Sequence, residues 1–223
     1  DCYKYIRQAN IFLQKAHPIM TTGTQGDQLL EDELTQMKAN VRFMRAFYHY
    51  LLFEQYGPII LVKDKIYNAT EDQDVPRNTV DEVIEYIDSE LTAVASELTQ
   101  EPIFEDKDYR AWPTKGVALA VRAKLWLYAA SPLVNTSNDL KKWELARDAA
   151  KAVIDLPGYS LASDYRTLFL EDNDEVIFRR YYTKANANRV NLFNSPNGYG
   201  GWGGNCPIQN LVNDYEMKAT GKR

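Results

Sequence analysis

Cysteine and histidine are scarce. The 223-residue chain has two of each, Cys2 and Cys206 at opposite ends, His17 and His49 well apart. A structural zinc site takes about four Cys or His ligands, commonly in close-spaced pairs, so this supply excludes one. Long apolar runs are missing as well. Stretches such as Pro58 to Val62 and Val117 to Val121 fall far short of the roughly 20 residues that cross a bilayer as a helix. There is no basic excess: 26 Lys and Arg stand against 31 Asp and Glu, a net charge of -5. No nucleic-acid partner is expected, because neutralising phosphate supplies most of such affinity.

Catalytic and calcium motifs are also lacking. The carboxylate clusters Glu31-Asp32-Glu33 and Asp81-Glu82 stand at predicted helix starts, where the helix dipole favours them, and so do not point to acid-base work. The run from Glu171 to Glu175 offers oxygen ligands, but without the ordered Gly and distal Glu of a calcium loop it reads as a solvated turn. No cofactor is therefore expected, with Ca²⁺ the one ion this composition admits. His49, mid-helix among aromatics, reads as a core or groove residue rather than a base.

What the chain has in excess is aromatic surface with a polar handle, 15 Tyr and 4 Trp against 8 Phe. Most of these rings fall on helical patterns. Cys2 to Ala16 repeats Tyr3, Ile6, Ala9, Asn10 and Leu13 at three-to-four-residue steps and ends at His17-Pro18. A second, longer pattern runs from about Gln28 to Tyr56, with Leu34, Met37, Val41, Met44, Tyr48 and Leu51 predicted on one face. Phe43, Phe47, Tyr50 and Phe53 add apolar surface opposite. A helix apolar nearly all round should lie between other helices. Gly57-Pro58 stops it.

Thr79 with Glu82 three residues on is a capping box, and the apolar period continues to Leu98. Pro113-Thr114 opens an Ala-rich fourth helix to about Ala130, and a fifth is predicted from Trp143 to Asp155, ending before Pro157-Gly158. These last two loosely match a tetratricopeptide helix pair. Trp112 is expected to staple the fourth helix, and Trp126 and Trp143 to be core. Asp174 to Tyr182 alternates as a strand. Beyond it, residues 186–213 hold eight of the chain's 15 Asn, residues 198–204 five of its 11 Gly, and a helix start is expected near Pro207 to Met217. Long irregular loops on a compact scaffold are usually either functional or disordered.

The second pattern and its stop, Arg42-Phe-Met-Arg-Ala-Phe-Tyr-His-Tyr-Leu-Leu-Phe-Glu-Gln-Tyr-Gly57-Pro58, resemble the most recognisable segment of the SusD/RagB family. Five more segments resemble it in the same order: Tyr3 to Asn10, Thr114-Lys115-Gly116 through Tyr128, Trp143 to Tyr159, Asp174 to Phe178, and Pro207 to Met217. The resemblance implies an all-α fold of tetratricopeptide-like helix pairs, an α-α superhelix with long loops and one or two short strands, over one domain spanning 1–223. It implies a non-catalytic glycan-binding lipoprotein on the outer-membrane surface of a Gram-negative bacterium. Oligosaccharide or polysaccharide would be the ligand and a SusC-type TonB-dependent transporter the partner. Members of the family are longer, so the expectation is a repeat-bearing first portion, with the lipid anchor and a C-terminal half outside this chain and with Cys2 too close to the first helix to be that anchor.

A sugar presents a weakly apolar face ringed by hydroxyls, so its site needs exposed flat rings beside amides. Trp202 and Tyr199, set among glycines, with Asn197 and Asn205, meet that need. Tyr182 is the expected outward ring of the Tyr181-Tyr182 pair. The alternative for Trp202 is that it only packs the Gly-rich loop. Three other functions stay open at this point: a peptide-capturing member of the same family, an intracellular tetratricopeptide scaffold for protein tails, and an all-helical glycoside hydrolase, for which no carboxylate pair stands out.

Overall fold

Side-chain spacing dictates a row of antiparallel helices, and a computed structural model of the chain has that row. It describes residues 1–18, 25–68, 70–71, 74–99, 112–171 and 173–222, with backbone alone at 25–30 and 32. The expected loops at Thr21 to Gly26 and Thr99 to Trp112 lie largely outside these residues. Five long helices occur in order: α1 Cys2–Lys15, α2 Gln25–Tyr56, α3 Val80–Glu97, α4 Lys115–Ala130 and α5 Leu140–Ile154. Each packs on the next, and α2 also touches α4, the neighbour-to-neighbour stacking of a helical repeat array.

The helix ends are set by local chemistry. Thr79 caps α3 through a full capping box with Glu82, whose carboxylate accepts from the Thr79 backbone N–H at 2.8 Å. Hydrogen bonds from Thr79 and Asn78 converge on that carboxylate and hold its pKa below the usual range, the backbone bond from Thr79 contributing most. Thr114 caps α4 and Asp139 caps α5. Gly57 ends α2 at φ +65, a conformation that costs glycine least. Gly116 serves another need: a side-chain carbon there would overlap the hydroxyl of Tyr159, so its absence admits that ring against the start of α4.

The face of α2 that is buried differs from the expected one. Ala39, Phe43, Ala46, Tyr50 and Phe53 are its buried stripe, whereas Met37 is exposed. Tyr48 and Leu51 pack only partly against the core. Sequence period cannot choose between two apolar faces of one helix; the larger rings took the side that closes on α3 and α4. The expectation that α2 lies between other helices holds.

Trp143, α5 and the strand also depart from expectation. Trp126 packs on the core, as expected, and donates its indole N–H to Asp88 at 2.6 Å. Trp143, by contrast, is 40% exposed, because α5 buries little beyond Ala146 and Ala149. Trp112 is 58% exposed. Residues 176–182 form no strand among the described residues, since alternation alone supplies no partner for a ladder. The chain beyond them is irregular, with two short helices, α6 Val190–Asn194 and α7 Gln209–Asp214. The chain divides into two units, Asp1–Arg179 with the helical array and Arg180–Arg223 with the loops.

Ion pairs knit the array from inside. Arg45 on α2 donates to Asn10 of α1 at 3.1 Å and to Glu90 of α3 at 2.8 Å. Arg42 pairs with Glu90 and Glu97. Arg122 of α4 donates to Asp88 of α3 at 2.6 Å. Beside them His49 is fully buried, and its Nδ1–H donates to the Arg45 carbonyl at 2.8 Å.

Burial pushes the His49 pKa down to about 4 from an ordinary 6.5. Because the unfolded ring takes up its proton first as pH falls, the folded state loses stability between those two values. At pH 4.5 the loss relative to pH 7 should be about 2–3 kcal/mol from this ring. Urea unfolding of the parent chain and of His49→Leu at both pH values checks it: the parent's drop should exceed the variant's by that amount, and equal drops would count against it.

Candidate functional site

The loop unit is built around one short helix and a returning strip of backbone. Val190–Asn194 makes a single helical stretch, and Asn197–Tyr199 a 3₁₀ turn. Residues 201–204 then fold back along 192–196. Trp202 N–H donates to the Leu192 carbonyl at 2.8 Å, Gly203 to Ser195 at 3.0 Å and Gly204 to Phe193 at 2.7 Å. The glycines are needed for this return. Gly200 sits at φ +78, and a side-chain carbon at Gly201 would overlap the Ser195 carbonyl.

That strip sets the pose of the indole. Trp202 meets Phe193 edge to face at 5.0 Å and 75°, yet is 62% exposed; Tyr199, three residues earlier, is 88% exposed. Both sequence-predicted rings therefore present area to solvent while their backbones are held. Asn205 donates its amide to the Asn194 side chain at 2.6 Å. The Asn197 carbonyl closes the 3₁₀ turn by accepting from Gly200 at 3.0 Å. Tyr182 is 44% exposed and carries the Arg180 guanidinium over its ring at 5.1 Å.

Trp202, Tyr199, Asn197 and Asn205 are thus brought into one folded loop, and Tyr182 lies earlier in the same unit. Sequence reading missed Phe193, which backs the indole, and Asn194, which fixes Asn205. The three-residue spacing of Val190 and Phe193, one turn of helix, was the available signal.

Chemically, the loop offers fixed aromatic faces, amide groups and backbone carbonyls. At the calcium candidate, Asn173 spends its side-chain amide on the carbonyls of Leu168 and Glu171, and Glu175 accepts from Ala162 N–H at 2.8 Å. These are turn-forming bonds, and Asp172 lies outside the described residues. Among the described residues no group of three or more His, Cys, Asp or Glu is placed to hold a metal ion, and no helix is long and apolar enough to cross a membrane.

A family model described as SusD-like, starch-binding and associating with the outer membrane matches residues 1–127, more than half of the chain. The chain belongs to the SusD-like family. Proteins of this family are carbohydrate-binding and non-catalytic. A SusD-like protein of Bacteroides ovatus is 27% identical over 173 residues, covering 77% of this chain and 29% of its own. Two crystal structures from Bacteroides fragilis NCTC 9343 each align with 99% of this chain. One, of a SusD-like protein, has TM-score 0.68 at 26% identity over 41% of that protein; the other, of a SusD-like carbohydrate-binding protein, has TM-score 0.76 at 21% over 40%. This SusD-like chain spans less than half the length of these relatives, and the all-α repeat fold implied by its motifs is the fold they share.

Proposed function

We propose that this chain carries part of a non-catalytic glycan-binding protein at the bacterial cell surface, with Trp202 and Tyr199 as stacking platforms and Asn197 and Asn205 as polar contacts. The observation that carries this reading is the Trp202 loop: an indole held by backbone bonds on both sides and backed by Phe193, yet largely exposed. Large exposed rings of this kind are costly to leave without a role, and pre-ordering them lowers the entropy lost on binding.

Residues 1–223 act in this reading as one domain, with the helical array as scaffold and the loop unit as ligand face. The whole protein is lipid-anchored to the outer membrane and passes oligosaccharide or polysaccharide to a TonB-dependent transporter of the SusC type. Family membership supports the location and the ligand class. A panel of oligosaccharides and oligopeptides, each at about 100 times a millimolar-range Kd where solubility permits, separates the ligand classes by melting temperature, since a ligand that binds only the folded state adds about 2.7 kcal/mol under those conditions. A rise with at least one oligosaccharide and none with peptides is expected; a rise with peptides alone would overturn the glycan reading.

A further inference from the structure

The charge of the loop region is set against that of the chain. From Val176 to Asn213 there is no Asp or Glu in 38 residues, although an even spread of the chain's 31 acids would put about five there. The same stretch has four cations, Arg179, Arg180, Lys184 and Arg189. The unit Arg180–Arg223 as a whole carries six Lys and Arg against two acids, in a protein of net charge -5.

Three of these cations are exposed. Arg180, Lys184 and Arg189 have no carboxylate within ion-pair distance among the described residues. All three lie in the same unit as the Trp202 loop. Arg180 lies over the Tyr182 ring at 5.1 Å, a cation–π contact that restrains the guanidinium. Lys184 is within the tight turn closed by reciprocal backbone bonds between Thr183 and Asn186 at 3.1–3.2 Å. Arg189 immediately precedes α6, the helix whose Phe193 backs Trp202, and its carbonyl accepts from Phe193 N–H at 3.0 Å.

Solvated Lys and Arg on a surface are ordinarily matched by nearby acids, and here the acids are missing over the whole stretch. Cations that lie within about a Debye length of one another, roughly 8–10 Å, act on a ligand jointly. Their charge is opposite to the protein's own, so attraction of a polyanion must come from this region against the field of the remainder.

We propose that this loop takes anionic glycans, chains whose sugar rings bear carboxylate or sulfate, in preference to neutral ones. The proposal rests on the reading of the Trp202 loop as the glycan face. In it, sugar rings stack on Trp202 and Tyr199, and Arg180 and Arg189 donate charge-assisted N–H bonds to the acidic groups. Tyr182 then orients Arg180 more than it stacks on sugar.

Affinity electrophoresis of the full chain decides it, with gels containing polygalacturonate, a sulfate-only carrageenan, starch, or polyglutamate as a charge-only control. Retardation by polygalacturonate or carrageenan, but not by polyglutamate, is expected. The two anionic arms tell carboxylate from sulfate. Retardation should weaken on raising NaCl and fall about tenfold in apparent affinity in Arg180→Gln/Arg189→Gln with helicity unchanged. Retardation by starch alone would overturn this proposal and leave the glycan reading standing. Retardation in no glycan gel would overturn both. Equal retardation by polyglutamate, or no effect of the double variant, would also overturn the anionic assignment.

Discussion

Glu90→Ala should unfold this protein about 6–20 °C earlier than the parent, the shift that corresponds to about 3–5 kcal/mol in a domain of this size. Glu90 is the carboxylate on which α2 and α3 meet: Arg45 donates to it at 2.8 Å and Arg42 at 3.4 Å. The Arg45 side chain is only 9% exposed and that of Glu90 17%, so removal of the carboxylate leaves a guanidinium that water does not reach well. Asn10, at 3.1 Å, becomes its main neutral partner, and the Arg45 Nε has no hydrogen-bond partner among the described residues even in the parent. The cost is that of an uncompensated buried charge, not the net value of the pair. Arg45→Met/Glu90→Leu, which removes both charges, should therefore recover most of the loss. Thermal melts of the parent, the single and the double variant check this; a single variant as stable as the parent would contradict it.

Phe43→Ala is the second large expected loss, about 3–5 kcal/mol. Phe43 is fully buried on the stripe of α2 that faces the array. Its ring stacks on Phe47 at 5.8 Å and meets Phe178 edge on at 6.5 Å. Phe178 lies in the extended segment that runs to the end of the helical unit, so this one ring supports both the core and the chain that leads toward the loops. Truncation should therefore do two things. Urea unfolding should shift by the stated amount, and limited proteolysis should cut sooner in the stretch from Asn173 to Arg179. Phe43→Leu, which keeps most of the volume, should show a clearly smaller version of both. Equal protease resistance of Phe43→Ala and parent would contradict the link to Phe178.

The helical array is legible in the sequence because its signals are local. Thr79 with Glu82, Thr114 after Pro113 and Gly57-Pro58 each set a helix end through bonds that span only a few residues. Which side of α2 turns inward is not legible, since both sides carry apolar residues and only the positions of α3 and α4 decide. The Arg45–Glu90 pair escapes for a related reason: its members are 45 residues apart, and a charged residue within a helical pattern looks the same whether it meets solvent or a partner. The strand expected at Asp174 to Tyr182 fails because alternation says nothing about a neighbour to pair with. Of the candidate site, the exposed rings can be read from the glycines that flank them, while the backing by Phe193 and the amide pair of Asn194 and Asn205 depend on the loop folding back on itself.

Trp202 is the residue on which the functional account depends, and its truncation tests the account most directly. The indole contributes no buried core, so Trp202→Ala should leave far-UV circular dichroism unchanged and move the melting temperature little. Binding is measured by affinity electrophoresis against whichever polysaccharide retards the parent chain. The account predicts that Trp202→Ala loses most of that retardation, an affinity drop of about tenfold or more, as expected when a stacked ring worth about 1.4 kcal/mol or more is removed. Retardation equal to the parent's, on the same polysaccharide with the fold intact, would contradict it.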